Sequence, residues 1–508
     1  MELNIKNENL NVCSQVCRSK NNFTTECEVI VPDSKPDILK VLQLSARPKV
    51  TSSESRGGRV TVSGSITFNI LYLADDEEKC VKSITSSCEF STLIRDDHIG
   101  ENMYVFTDVD VSDLSCTIAN CRKLSLKATL CANVRVYSCY GIDVITDIEG
   151  ACTKKTTLSS GVICAHAQDS TVVCDSFSIS PGKSPIEEIL KSDGVITDSS
   201  LKIIDDKAIL KGTLRIVVLY RSEMGIEYAQ TDMSFAHVME CDGIREDMDC
   251  EHTVKLCDIS ATAAEDTDGK QCIIELTSDL FFRVIARKTY STQCIVDAYL
   301  PHGALEAKHS MVSVDCVDTL IKRDADFRER ITLPDSLPEI ESVYQVIARP
   351  FTESCITEGE KLRVSGYTEV YILYLSRDKT LPACSFKTDI DFSVLCDSPG
   401  CMLTPFADCK LNNISYTITN ENSVEIRGSV DITIECIRTT EEEIIYNVQE
   451  VEYEAIPRPS IIVSFMCNGR TLWDIAKEYR VSPEDILSAN ALENESAITS
   501  GMALIIPK

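Results

Sequence analysis

One motif occurs three times along the chain, and no other feature limits its fold as strongly. Val31-Pro32-Asp33-Ser34-Lys35-Pro36-Asp37-Ile38-Leu39 returns as Leu333-Pro334-Asp335-Ser336-Leu337-Pro338-Glu339-Ile340, and in weaker form as Ser180-Pro181-Gly182-Lys183-Ser184-Pro185-Ile186-Glu187. The two prolines are four residues apart in every copy. A second block follows each: Val62-Ser63-Gly64 running to Leu71-Tyr72, Leu210-Lys211-Gly212 to Leu219-Tyr220, and Val364-Ser365-Gly366 to Leu373-Tyr374. The Gly-to-Tyr spacing is eight in all three, and the first proline precedes the tyrosine by 40, 39 and 40 residues. The copies start about 150 residues apart, too far for a solenoid unit and suited to one domain each.

The second block alternates. Val60, Val62, Gly64, Ile66, Phe68, Ile70 and Tyr72 share one parity, and Thr61, Ser63, Ser65, Thr67 and Asn69 the other. Period two predicts a half-buried antiparallel strand. The third copy keeps this parity, and the second keeps it with a more apolar outer face (Ile209, Val217, Leu219). The glycine inside the strand predicts a bend, a bulge or a close approach of another backbone. The Pro-x-x-x-Pro block reads as a short helix, with Ser34/Asp37 and Ser336/Glu339 at capping-box spacing and Ile38, Leu39, Val41 and Leu42 as its apolar face. A further alternating block opens at Leu124, Cys272 and Val424. The expected fold is mainly β: three tandem β-rich domains each with a short helix, at 8–158, 160–312 and 314–457, with the tyrosines Tyr72 and Tyr374 buried at their strand ends.

Composition narrows the function. Hydrophobic residues at 44% and charged residues at 25% suit a globular chain. The excess of 79 acidic over 50 basic residues argues against nucleic acid and anionic lipid as general partners. No apolar run approaches the ~20 residues of a membrane span. The N-terminus MELNIKNENLNVCSQVC lacks the basic end and apolar core of a signal peptide. The chain has 25 cysteines but no Cys-x-x-Cys; the closest pairs are Cys13/Cys17, Cys116/Cys121 and Cys396/Cys401. With only six histidines to help, these cysteines read as small buried hydrophobes, Cys131, Cys272 and Cys436 among them, and no metal or cofactor is expected. No phosphate-binding loop, Gly-x-Ser-x-Gly elbow or His-Glu-x-x-His helix appears. Asp96-Asp97-His98 and His302 do not recur between copies, and the runs Asp75-Asp76-Glu77-Glu78 and Glu441-Glu442-Glu443 read as solvated turns. No enzyme is expected.

Beyond a Pro-rich linker at 456–460 the pattern changes. Val463-Ser464-Phe465 reads as a strand. Leu472, Ile475, Ala476 and Tyr479 mark one helical face behind the N-cap Thr471, and Ser482-Pro483 opens a second helix. Gly501 to Pro507 reads as turn then strand. This βααβ order, with Gly469, Thr471, Leu472, Trp473, Ile475, Ala476, Ile486, Asn490 and Leu492 in place, resembles a LysM domain over 461–508. The resemblance implies a shallow groove for N-acetylglucosamine polymers such as peptidoglycan or chitin, with Gly469, Arg470, Thr471 and Leu472 on one side and Asn490, Ala491, Leu492 and Ile498 on the other. Arg470 departs from the Asp common in that family. Trp473 reads as core of this small domain.

The repeats resemble the SPOCS domain of spore coat proteins, through Pro-Asp-Ser-x-Pro-[Asp/Glu]-Ile and the later Gly-to-Leu-Tyr block; the middle copy is degenerate. SPOCS copies followed by LysM is similar to the SipL-type family of coat morphogenetic proteins. That resemblance implies a mother-cell cytoplasmic scaffold at the outer forespore surface, partnered by a coat-basement ATPase of the SpoIVA type. The competing reading is a peptidoglycan anchor acting through the tail.

Overall fold

The computed structural model describes residues 4–76, 80–301, 303–378, 380–398, 403–452, 459, 462–467 and 469–507, the side chains of 316–319 and 403–404 aside. Each copy contributes six strands. The first comprises β1 (Ile5–Ile30), β2 (Ile38–Ser55), β3 (Arg59–Ala74), β4 (Val81–Arg95), β5 (Tyr104–Asn120) and β6 (Lys123–Ile148). The second comprises β7 (Cys152–Ser178), β8 (Glu188–Ile204), β9 (Lys207–Ser222), β10 (Gly225–Glu240), β11 (Asp249–Glu265) and β12 (Gln271–Tyr299). The third comprises β13 (Ala304–Thr332), β14 (Ile340–Glu358), β15 (Lys361–Ser376), β16 (Ala383–Asp397), β17 (Leu403–Asn420) and β18 (Ser423–Val451). The junctions thus fall at 149–151 and 300–303, so the expected boundaries at 158/160 and 312/314 lie inside β7 and β13.

Every copy is a sandwich of two antiparallel three-stranded sheets, ordered β1-β6-β5 and β2-β3-β4 and their counterparts. Alternation fills the space between them: Val60, Val62, Ile66, Phe68, Ile70 and Tyr72 from β3 meet Leu124, Leu126, Ala128 and Leu130 from β6, all fully buried. The first and last strands of each copy run far past the sandwich, 26 residues for β1 and β6 and 29 for β13 and β18.

The proline block is not a helix. It is a tight turn, Lys35 N–H to the Pro32 carbonyl at 2.9 Å and Leu337 N–H to that of Pro334 at 3.0 Å, and Ile38 and Ile340 already begin β2 and β14. The expected helical face Ile38, Leu39, Val41 and Leu42 is strand. The turn carries the chain from one sheet to the other, and its flanks are tied to the hairpin of the first sheet: Val31 N–H to the Arg122 carbonyl (2.9 Å) and Ile38 N–H to that of Cys121 (2.8 Å). These tertiary bonds use the amides a first helical turn would leave open, and pairing with β3 and β15 outweighs a one-turn helix. The tyrosine locks the corner. Tyr72 Oη–H donates to the Pro36 carbonyl (3.1 Å) and Tyr374 to that of Pro338 (2.9 Å), and both rings are buried as expected. Burial pushes the Tyr72 phenol up to about 12. In the first and third copies the tyrosine follows the proline it bonds by 36 residues.

The strand glycine marks a close approach. A side-chain carbon on Gly64, Gly212 or Gly366 would collide with the carbonyl of Lys49, Asp198 or Phe351, each beside a bulge, and with the ring of Phe90, Phe235 or Phe392 lying over the glycine. The phenylalanine is a third repeat element that the sequence reading missed.

The three sandwiches close into a ring with approximate threefold symmetry. The second sheet of each copy meets that of the next: Lys82 of β4 pairs with Glu188 of β8 (2.7 Å), Tyr228 of β10 packs edge-on against Tyr344 of β14 (5.9 Å), and Ser385 of β16 donates to the Leu42 carbonyl of β2 (2.7 Å). At one end of the axis the equivalent bulged residues Leu42, Leu190 and Tyr344 join the equivalent Leu71, Leu219 and Leu373 in one apolar cluster. At the other end the long strands converge, with Val144, Cys294 and Ile444 in one cluster and Ile145, Ile295 and Ile445 in a second. Val217 and Leu219 of the second copy's apolar outer face are therefore interface.

Two sequence readings need correction in detail. Cys436 is buried and Cys131 and Cys272 half-buried as free thiols, but Cys13 and Cys139 face each other across β1 and β6 and form a disulfide. Glu441-Glu442-Glu443 lies within β18, opposite Ser313, Val312 and Met311, not in a turn. Asp96 and His98 sit in the loop after β4, 2.9 Å apart, with the imidazole exposed. His302, Cys401, Glu77, Glu78 and most of the linker at 456–460 lie outside the described residues.

Candidate functional site

The tail folds as its pattern predicts: β19 (Ile462–Phe465), α1 (Leu472–Tyr479), α2 (Pro483–Ala489) and β20 (Ala503–Ile506), with β19 and β20 paired. Thr471 and Asp474 form a capping box on α1, and Ser482 caps α2 ahead of Pro483. Leu472, Ile475, Ala476, Val481, Ile486, Leu504 and Ile506 make the core.

Most of the groove residues inferred from sequence are engaged within the tail itself. Gly469 turns the chain at φ +87°, a left-handed conformation that suits glycine. Arg470 pairs with Glu478 of α1, and Thr471 is the cap. Leu472 is buried, with Leu492 and Ile498 packed on the same cluster. Asn490 donates its amide to the carbonyls of Ile486 (2.8 Å) and Ile505 (2.7 Å) and accepts from Ile505 N–H (2.7 Å), fixing α2 to β20. Ala491, exposed at φ +54°, continues the turn. Beside the strand pair, Met466 N–H bonds the Met502 carbonyl (2.9 Å), and Gly501 N–H that of Met466 (2.7 Å), which extends the β19–β20 ladder by one step.

Trp473 is not simply core of the tail. It stands half-buried against Tyr299 of the second repeat, rings 5.1 Å apart and edge-on, and its Nε1–H donates to Asp297 (2.8 Å). Lys477 grips the same carboxylate (2.7 Å), Tyr299 donates to the Val481 carbonyl (2.8 Å), and Arg480 to that of Gly303 (2.6 Å). Burial opposes ionisation of Asp297, but Lys477 and Trp473 outweigh it and hold the carboxyl below the usual range. The tail thus docks on the end of β12, in the middle repeat. The sequence signal was present: the positions equivalent to Tyr299 are Glu149 and Gln449, both polar.

On the tail's far side β19 and β20 present an apolar strip. Val463, Phe465 and Ile505 are 47%, 61% and 48% exposed, while Ser464, Leu504 and Ile506 face the core. Val463 lies directly across from Ile505.

The ring encloses the second notable space, a chamber of about 1760 Å³ lined by all three repeats. Around it, carboxylates at or near the seams between repeats are each held by two cations. Asp193 meets Lys191 (2.7 Å) and Arg47; Asp108 meets Lys255 (2.9 Å) and Arg283 (2.7 Å); Glu251 meets Arg135 (3.2 Å) and Arg287 (3.4 Å). Burial of Asp193 favours its neutral form, yet Lys191 and Arg47 prevail and lower its pKa; burial in turn lowers that of Lys191. Lys191 also reaches Gln43 (3.0 Å) and Gln345 (3.4 Å), its equivalents in the other copies, so the three meet on the axis. None of this was legible from one strand's pattern.

Comparison with known proteins places names on these parts. The family model described as SipL, SPOCS domain matches residues 37–119, 185–264 and 339–419, and the LysM domain model matches 468–507. The middle copy is recognised with the others. Neither the curated proteins nor the solved structures gave a match. No helix among the described residues is long and apolar enough to cross a membrane.

Proposed function

Three SPOCS domains followed by a LysM domain make this chain a sporulation-related coat protein of the SipL type, and we propose that it works as a non-enzymatic scaffold, joining the coat basement layer to the outer forespore surface from the mother-cell cytoplasm through protein–protein contacts. The observation that carries this reading is the exposed Val463, Phe465 and Ile505 strip on the LysM sheet. Exposed apolar side chains side by side on a sheet suit a protein surface, whereas a sugar polymer asks for polar groups. The residues of the glycan-type groove support the same reading, since Thr471, Asn490 and Leu472 are already engaged within the domain. The partner that the resemblance suggests for the strip is the coat-basement ATPase of SpoIVA type.

The test is affinity capture with the full chain, wild type and Phe465→Ser, against that ATPase and, separately, insoluble peptidoglycan. Phe465 is exposed, so its replacement leaves the tail folded. The scaffold reading expects ATPase retention by the wild type and its loss in the variant. Retention on peptidoglycan alone, indifferent to Phe465, would establish the glycan anchor instead.

A further inference from the structure

The chamber inside the ring is balanced in charge, where the molecule around it is strongly acidic. The chain carries 79 acidic and 50 basic residues, yet the chamber lining holds eleven of each among the described residues. Two acids of its walls, Asp108 and Glu251, each meet two cations. Five of the cations that line the chamber, Lys20, Lys322, Arg323, Arg349 and Lys410, have no ion pair among the described residues. Arg349, half-buried on β14, stands over the Tyr371 ring (5.9 Å) and lies across the ladder from Glu369, whose carboxylate Lys387 occupies. Lys410 on β17 stands where Lys255 stands in the second repeat. Lys255 has Asp108 as partner, whereas Lys410 lies across the ladder from Asp431, whose carboxylate accepts from Asn412 (2.8 Å). Arg283, 3% exposed, keeps its Nε–H without an acceptor, and the buried side-chain oxygens of Thr107 and Asn133 in the same lining are also unpaired. A buried guanidinium donor costs free energy unless something accepts from it.

Arg47 and Arg349 occupy equivalent ceiling positions in repeats one and three, projecting from β2 and β14, and Val195 holds the third position. Val195 is 53% exposed, so the ceiling is open to water from within. We propose that this chamber binds a small polyanion carrying phosphate groups, held between Arg349, Arg47 and Lys410. Guanidinium forks facing one cavity from two strands match the several oxygens of a phosphate chain, and low-dielectric walls strengthen the contact. The acidic outer surface steers anions away, so the site would select for a compact, multiply charged ligand rather than for a nucleic acid strand.

Titration calorimetry of the full chain with inorganic tripolyphosphate tests this. One ligand per chain is expected, with affinity falling as salt rises. Arg349→Gln combined with Lys410→Gln should weaken binding by about tenfold or more, whereas Lys361→Gln, an exposed lysine outside the chamber, should not. Val195→Glu adds a carboxylate to the ceiling without removing any contact and should abolish binding, while Val195→Gln should not; circular dichroism confirms that each variant is folded. Absence of binding to the wild type, or equal binding by wild type and Val195→Glu, would overturn the proposal. Citrate binding as tightly as tripolyphosphate would overturn its phosphate class. Neither result depends on whether the tail strip holds the ATPase.

Discussion

The middle repeat and its two neighbours share a fold but not their chemistry, and the differences fall where the molecule is held together. In the first and third repeats the corner tyrosine donates to a proline carbonyl, whereas Tyr220 turns to Glu227 (2.8 Å). On the axis the outer copies offer Gln43 and Gln345, and the middle copy offers Lys191 with its own Asp193. At the far end the outer copies have Glu149 and Gln449 where the middle copy has Tyr299, the seat of the tail. The copy that reads as degenerate in sequence is thus the one that makes the ring asymmetric. Two of its departures, Lys191 and Tyr299, make contacts with other parts of the chain, and its core is not decayed: the buried strand Leu210, Leu214, Ile216 and Val218 is intact.

The axis gives the sharpest break of this comparison. Lys191→Ala leaves Asp193 buried with Arg47 alone and should cost about 3 kcal/mol, against about 1 kcal/mol for Gln43→Ala or Gln345→Ala; urea unfolding measures both. Pairing Lys191→Ala with Asp193→Ala should recover much of the loss, and a double mutant as unstable as the single one would show that the pair is not the source. The glycine tests what the copies share. Gly64→Val, Gly212→Val and Gly366→Val should each cost about 3 kcal/mol, because carbonyl and phenylalanine leave no space in any copy. A harmless change at Gly212 alone would mean that the middle sandwich is looser than its neighbours.

The corner is a smaller effect. Tyr72→Phe and Tyr374→Phe should each lose about 1 kcal/mol, and Tyr220→Phe less, since Glu227 lies at the sheet edge and water can replace the phenol. The smallest effect belongs to the tail. The depressed Asp297 carboxyl contributes docking free energy that is complete above its ordinary value of 3.8 and lost as pH falls through its lowered folded value. The tail should therefore stay seated at neutral pH and release only in acid, and Asp297→Asn should loosen it at neutral pH by about 1 kcal/mol, since Lys477 is largely exposed. Quenching of the lone Trp473 by acrylamide reads both.

The repeat spacing, the alternation of β3 and β15, the buried tyrosines and the βααβ tail were all legible in the amino-acid sequence, because each depends on neighbours close along the chain or on strict periodicity. The proline block was misread as helix because its partners, Cys121 and Arg122, lie more than 80 residues away. Period two says which face of a strand is buried but not which distant surface buries the other face. Ring closure, the meeting of Gln43, Lys191 and Gln345, the seat of Trp473 on Tyr299 and the charged chamber were therefore settled only in three dimensions, where residues 100 to 400 positions apart desolvate one another.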